Sequence, residues 1–262
     1  MVTSEFWSSE LTDSTSRAVR EAESYDEGEV WRNIDLWHRR VMHVLACPNT
    51  ISGERSFDAL LVNAARGAHA MDVGCGRGGL SRRLHAMGAA SVYGFDISGQ
   101  EVHQAREECR GLQDVSFAVH GAEAPIEGRF DLIVGRSILH HLDFREVLPR
   151  LYERNLTPGG RMVFMEPMSH PLTLAFHHFV RSAHTVDEWP LTPADILWLR
   201  ERFTVHVMPI NLVSFPAGVL SSLLLRSPDN PLMRIADAVD RSLERRPFFT
   251  TRGRQGIIVI DG

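Results

Sequence analysis

Ala70-Met-Asp-Val-Gly-Cys-Gly-Arg-Gly-Gly79 leads from a short apolar strand into a bend with glycines at 74, 76, 78 and 79. The strand ends at Val73, and Leu80-Ser-Arg-Arg-Leu84 opens a helix directly after the bend. Glycine is needed where the backbone turns through positive φ and where a ligand approaches without a Cβ in its way. Asp96 follows 24 residues after Asp72, at the end of a second strand. A carboxylate there accepts hydrogen bonds from both hydroxyls of a ribose, which points to an adenosine-containing ligand.

Gly74, Gly76 and Gly79 also satisfy G-x-G-x-x-G, a pattern of dinucleotide sites. Asp96 does not discriminate, because both kinds of site use an acid at this place. Asp72 does. A dinucleotide lays its pyrophosphate on the helix N-terminus, and a carboxylate two residues before the bend opposes it. S-adenosylmethionine (SAM) carries a sulfonium and an ammonium group instead, so negative charge at Asp72 suits it.

Outward from the bend, short apolar runs alternate with amphipathic segments, as in strands joined by crossover helices. Strands are predicted at Ala68–Val73, Ser91–Asp96, Val115–Val119, Phe130–Gly135 and Arg161–Glu166, with two more near Phe203–Val207 and Gly256–Ile260. A helix is predicted from Ser56 to Ala65, where Phe57, Leu60, Leu61 and Ala64 recur at helical spacing. Ser98 with Glu101 reads as a capping box, Asp143 with Glu146 as an acidic cap, and Thr192-Pro193 as a cap with proline in the first turn. Thr157-Pro-Gly-Gly160 reads as a turn feeding a strand. The expected fold is α/β: a three-layer sandwich around a mostly parallel seven-stranded sheet. Residues 1–55 are expected to form a helical lid with Trp31, Ile34, Leu36, Trp37, Val41 and Val44 on a partly apolar face, and residues 56–262 the core. Two insertions, at about 168–191 and 209–252, are rich in aromatic, proline and apolar residues. They are expected to cap the carboxyl ends of the strands, where open α/β sheets bind ligands.

The 262 residues suit one α/β domain with elaborations, and the formal charge of −5 argues against a nucleic-acid surface. The N-terminus lacks the basic and apolar regions of a signal peptide. The most apolar stretch, Leu212 to Leu225, is broken by Pro216 and is too short to cross a bilayer. Cys47, Cys75 and Cys109 are few and unpatterned, so a reducing cytoplasm is the expected compartment and no metal site is expected. The chain is expected to act as a monomer or homodimer with a small-molecule partner, without nucleic acid or membrane.

Asp72-Val-Gly-Cys-Gly-Arg-Gly resembles the first motif of class I SAM-dependent methyltransferases, and Gly94-Phe-Asp96-Ile-Ser resembles their second. Phe130-Asp-Leu-Ile-Val with Ser137-Ile-Leu-His-His-Leu142 is similar to the strand-four motif of the small-molecule branch. Leu156-Thr-Pro-Gly-Gly-Arg161 with Phe164-Met-Glu-Pro167 is similar to the turn and strand after it. The resemblance covers about residues 68 to 167 and implies a Rossmann-like core with SAM as cofactor. It implies that Gly74, Cys75 and Gly76 lie against the ribose and methionine parts. Asp72 would orient the bend and help bind the ammonium group, Asp96 would take the ribose hydroxyls, and Ile97 would lie against the adenine. The acid that the family usually places after strand three is absent from its slot; Ala122 and Glu123 stand in its place. Tyr25 resembles a lid tyrosine of some relatives, and Arg136 joins the cofactor set at the end of strand four. Cys75 between loop glycines is common in the family and needs no reactivity.

Methyl transfer to a hydroxyl is helped by a general base, and histidine serves near neutral pH. His140 and His141 follow strand four, beside the expected methyl position; Glu166 ends strand five, and His170 follows in Pro167-Met-Ser-His-Pro171. His38 could close from the lid, whereas His177 and His178 read as helix-surface residues. Gly135-Arg-Ser-Ile138 stands where enzymes acting on DNA-base amino groups carry Asn/Asp-Pro-Pro-Tyr/Phe, so a small organic acceptor from secondary metabolism is expected. Two alternatives remain: a same-fold enzyme that uses SAM structurally for rearrangement or cyclisation, and an NAD-dependent oxidoreductase.

Overall fold

Successive strand residues point to opposite faces, and runs of consecutive buried residues give the sheet two apolar faces. In β1 (His69–Val73), Ala70 and Asp72 face one way and Met71 and Val73 the other, all four buried. The computed structural model describes residues 42–170 and 190–262. Tyr25, His38, His177, His178, most of the first insertion and all of the apolar face proposed for the N-terminal lid except Val44, which is buried, lie outside the described residues.

The other strands are β2 (Ser91–Asp96), β3 (Val115–Val119), β4 (Phe130–Arg136), β5 (Leu156–Pro167), β6 (Thr204–Ile210) and β7 (Gln255–Asp261). They form one seven-stranded sheet in the order β3-β2-β1-β4-β5-β7-β6. Pairing is parallel from β3 through β5, and β7 is antiparallel to both its neighbours. Every strand predicted from the sequence is present. The expected turn at Thr157–Gly160 lies inside β5, where the register against β4 jumps from Phe130–Leu156 to Leu132–Arg161. Gly159, at φ +77°, absorbs the jump, so the stretch is a bulge on a strand.

The described helices are α1 (Met42–Leu45), α2 (Pro48–Ala65), α3 (Gly79–Ala86), α4 (Gly99–Glu108), α5 (Phe144–Arg150), α6 (Pro193–Arg202), α7 (Ser214–Leu224) and α8 (Pro231–Leu243). Phe57, Leu61 and Ala65 of α2 and Leu84 of α3 bury one face of the sheet against Ala70, Leu132, Val134 and Met165. Val147 and Leu148 of α5 with Ile196 and Leu199 of α6 cover the other, against Met71, Ile133, Phe164 and Ile258. This is the expected three-layer sandwich.

Three local expectations are corrected. Helix α2 starts at Pro48, ahead of the apolar spacing that marks it from Phe57 onward, and runs across the boundary expected at residue 55. In its first turn the polar Asn49 and Thr50 are buried, bonded to Asn211 beyond β6, while Pro48 and Ile51 are exposed. The capping box at Ser98 is half formed. Ser98 Oγ accepts from the Glu101 N–H at 3.1 Å, but the Ser98 N–H donates to Asp96, and Glu101 turns to Arg77. Asp143 makes no side-chain cap bond; it is exposed, with ψ at 73°. Thr192, by contrast, forms a full capping box with Asp195, with Pro193 in the first turn.

The second insertion leaves β6 and returns into β7 at the carboxyl edge of the parallel strands. Helices α7 and α8 pack there against the start of the described chain: Ala217, Met233 and Ala236 close around Cys47, and Ser221 Oγ lies 2.8 Å from His43 Nδ1.

Candidate active site

The bend after β1 is shaped by two glycines in particular. Gly74 has φ +66°, and a Cβ on it would lie 2.5 Å from Ile138 Cδ1. Gly78, at φ +76°, is the N-cap of α3, and a Cβ on it would lie 3.1 Å from Ala105 Cβ and from Phe117 Cζ. The bend is therefore pressed on one side by the loop after β4 and on the other by α4. Asp96 fastens its middle: Oδ2 accepts from the Gly76 N–H at 2.9 Å and Oδ1 from the Ser98 N–H at 3.0 Å. Arg77 is held by both oxygens of Glu101, each at 3.2 Å.

Asp72 sits behind the bend, only 1% exposed, and its carboxylate accepts from Ser81 Oγ of α3 at 2.6 Å. Burial pushes its pKa up to about 7; the Ser81 hydroxyl opposes this and the nearby Asp96 charge adds to it. A side chain enclosed in this way would help bind an ammonium group, the role the resemblance implied, without touching it. Asp72 acts on the bend through Ser81 and through its field. Cys75 is also buried, with its Cβ about 3.0 Å from the position a Cβ on Gly94 would take. Burial, with Asp72 and Asp96 nearby, drives its thiol far above the ordinary range, so Cys75 is no nucleophile.

Beyond β2 and β3 the chain brings Ile97, Gly121 and Glu123 together: the point where Gly121 would carry a Cβ is 3.9 Å from Ile97 Cδ1 and 2.8 Å from Glu123 Oε2. Ala122 is buried, and the carbonyls of Ala122 and Glu123 both accept from the Arg150 guanidinium. Residues 97 and 121–123 thus meet beyond the ends of β2 and β3, with the Glu123 carboxylate beside Gly121.

The loop after β4 holds the catalytic candidates. Ser137 adopts φ +52°, a conformation that L-residues rarely take and that recurs at functional sites. Glu166, fully buried at the end of β5, organises this loop. Its Oε1 accepts from the Ile138 and Leu139 N–H groups at 2.9 and 3.0 Å, and its Oε2 lies 2.8 Å from His140 Nδ1. Because the carboxylate accepts, Nδ1 carries the hydrogen and Nε2 is the basic atom. His141 is buried, with its ring centroid 4.1 Å from that of His140. His170 stands apart from this pair: its Nε2 bonds Leu212 O at 3.0 Å and its ring meets Phe215 edge-on. Burial lowers its pKa, and the side chain ties the exit of β5 to the second insertion.

Arg136, assigned to the cofactor from sequence, is engaged by both oxygens of Glu54 on α2. Neither Glu54 nor the Glu166 anchor for two amides carries a sequence signal, because each meets its partner from a distant element. No cluster of three His, Cys, Asp or Glu residues is placed to hold a metal among the described residues, and none of their helices is long and apolar enough to cross a membrane.

The donor set fits SAM better than a phosphate-bearing nucleotide: the bend presents backbone without Cβ atoms, its one arginine is paired with Glu101, and Asp72 and Asp96 lie behind and beside it. Residues 64–193 match the family model described as a methyltransferase domain. The demethylmenaquinone methyltransferase of Tropheryma whipplei is 31% identical over 112 residues, 42% of this chain and 46% of that protein. The ribosomal protein L11 methyltransferase of Lactobacillus delbrueckii is 33% identical over 95 residues, 36% of this chain and 29% of that protein. The chain thus spans less than half the length of these curated relatives. Among solved structures, phosphoethanolamine N-methyltransferase 2 of Haemonchus contortus, in complex with phosphomonomethylethanolamine and S-adenosylhomocysteine, superposes with a TM-score of 0.55 at 19% identity, covering 79% of this chain and 52% of that one. That likeness speaks to the fold alone. With its glycine bend, the acid ending β2 and the domain match together, the chain belongs to the class I SAM-dependent methyltransferases.

Proposed function

We propose that the chain transfers the methyl group of SAM to a small organic molecule, with His140 as the proton acceptor and Glu166 as the residue that positions it. The observation that carries this is the buried His140–Glu166 pair on a loop whose Ile138 side chain packs directly on Gly74. Base and cofactor bend are thereby fixed relative to each other by packed side chains.

Backbone at Gly74–Gly76 and the Asp96 carboxylate would hold the ribose and methionine parts, with Ile97, Ala122 and Glu123 around the adenine. Tyr25 would close from the lid, and Arg136 would border the methionine end. Bound there, SAM supplies a methyl group already activated as a sulfonium. His140 Nε2 takes the acceptor's proton, and the imidazolium formed is paired with the Glu166 carboxylate through Nδ1–H. His141 packs beside this ring, its own plane inclined by 45°. Glu166 touches no acceptor in this scheme, and His170 serves the insertion. Secondary metabolism is the expected setting, and the second insertion with residues 168–191 is assigned to a cap that closes over the acceptor. An acidic chain favours a small acceptor over a nucleic acid.

Incubation with methyl-labelled SAM and a set of phenols, amines and activated carbons tests the proposal. A labelled product heavier by one CH₂ is expected. Asp96→Ala should weaken SAM binding by about 1–3 kcal/mol, the scale of lost charge-assisted hydrogen bonds. Calorimetry that detects neither SAM nor S-adenosylhomocysteine binding at millimolar concentration would overturn the assignment.

A further inference from the structure

Arg254 stands just before β7, at the carboxyl edge, where its N–H bonds Asn211 O and its carbonyl accepts from the Met168 N–H, both at 3.0 Å. Its partly buried guanidinium meets only neutral oxygens: Nε donates to Asn211 Oδ1 at 3.2 Å and Nη2 to Gln255 Oε1 at 2.6 Å. Asn211 is itself fixed, at φ +59°, by Asn49, Thr50, Ser214 and Cys47. The arginine is thus mounted on a rigid platform.

A guanidinium removed from water is normally paired with a carboxylate. Among the described residues none pairs with this one. Glu54 lies within its field but is engaged by Arg136, whose positive charge opposes that of Arg254. Burial, more than Arg136, pulls the Arg254 pKa down to about 10. The set Arg254, Arg136 and Glu54 keeps one positive charge unmatched, in a chain of net charge −5. Of five guanidinium N–H groups, two are directed at amide oxygens, and the remaining fork suits two oxygens of one anion.

We propose that Arg254 anchors an oxyanion, a carboxylate or phosphate group, on the methyl acceptor. This rests on the methyl-transfer reading for the identity of the bound molecule, although not for anion binding itself. Along the edge, the cofactor bend follows β1, His140 follows β4, Glu166 ends β5, and Arg254 precedes β7. Neighbouring strands lie about 4.8 Å apart, so the anion would sit roughly 5–10 Å from the atom that loses its proton. An acceptor of one or two rings with an acidic group at its far end matches that span.

Isothermal titration of the full chain, with and without saturating S-adenosylhomocysteine, at fixed ionic strength, tests this with inorganic phosphate and benzoate against chloride. Phosphate or benzoate should bind at least ten times more tightly than chloride, and the tighter of the two identifies the acceptor's anion. Arg254→Gln should remove this preference while leaving S-adenosylhomocysteine affinity within twofold. Gln255→Glu, which places a carboxylate where Arg254 already bonds, should remove it too while raising Tm, so a poorly folding Arg254→Gln does not obscure the outcome. Wild-type chain that prefers neither oxyanion to chloride, or a preference that survives in Gln255→Glu, overturns the proposal. Lack of S-adenosylhomocysteine binding with the anion preference intact would instead overturn the methyl-transfer reading.

Discussion

The two halves of the carboxyl edge are built differently. The half around β1, β2 and β3 is made of local segments: a glycine bend, a strand-end carboxylate 2.9 Å from the Gly76 nitrogen, and two short loops that meet at Ile97 and Gly121. The half around β4, β5 and β7 is made of side chains that arrive from far along the chain, such as Glu166 to the loop after β4, Glu54 to Arg136 and Asn211 to Arg254. A cofactor of constant shape is met by backbone geometry. The half proposed to meet the acceptor is assembled from side chains, which can vary on one fold.

The largest effect should fall on the replaceable half. His140→Ala should lower turnover about 10²–10⁴-fold, the usual range for a lost general base, with SAM affinity within twofold. Glu166→Gln should cost nearly as much. Its amide oxygen still accepts from Ile138 and Leu139, but its NH₂ group faces His140 Nδ1 and forces the other tautomer, which removes the basic atom from Nε2. Steady-state kinetics decides: a raised KM for SAM with unchanged kcat in either variant would move these residues into the cofactor half.

Next comes Asp72, with the sign opposite to that of an ordinary surface carboxylate. Its pKa is about 7 in the folded chain, above the 3.8 of an unburied aspartate. Between those values the native state holds a proton that the unfolded chain has released, so stability falls as pH rises from about 4 to 7 and then levels off. A rise of this size corresponds to at most about 4 kcal/mol. Asp72→Asn should therefore match the wild type near pH 4 and exceed it in urea midpoint at pH 8. The same variant should bind SAM more weakly, having lost the negative field beneath the bend. Equal pH profiles for the two proteins would contradict the burial assigned to Asp72.

Gly74→Ala probes the seam between the halves. Positive φ and the contact with Ile138 should together cost about 2–4 kcal/mol of stability. Adding Ile138→Ala should recover the steric part and leave the cost of the backbone conformation. Thermal denaturation of the four proteins of this cycle gives the coupling, and additivity within about 0.5 kcal/mol would mean that the loop after β4 does not rest on the bend.

The same contrast explains what the sequence revealed. All seven strands and the bend were legible because strand alternation, glycine spacing and the acid at 96 are local signals. Thr192 was legible as a cap for the same reason. Asp143 and Glu101 were not, since a cap bond depends on competing donors: the Ser98 N–H is taken by Asp96, and Arg77 draws Glu101 away. The polar burial in the first turn of α2 was missed because Asn49 and Thr50 look like surface residues until Asn211 reaches them. His140 and Glu166 were both marked as candidates, yet the bond between them, across 26 residues of chain, exists only in three dimensions.

The smallest effect tests whether charge in the variable half is finely set. Glu54 and Arg136 are each more than a third exposed, so their pairing is screened by solvent and contributes about 0.5 kcal/mol. Glu54→Gln should accordingly lower Tm by little, and that difference should shrink in high salt. Removing this carboxylate also removes a negative charge acting on Arg254, while Arg136 remains. The positive potential at the β7 end rises, so phosphate or benzoate should bind two- to threefold more tightly in Glu54→Gln than in the wild type. That gain is opposite in sign to the loss expected on removing Arg254, and a side chain with a merely structural role would show neither. Titration at two ionic strengths separates the cases: an electrostatic gain fades with salt, whereas one caused by a rearranged α2 persists.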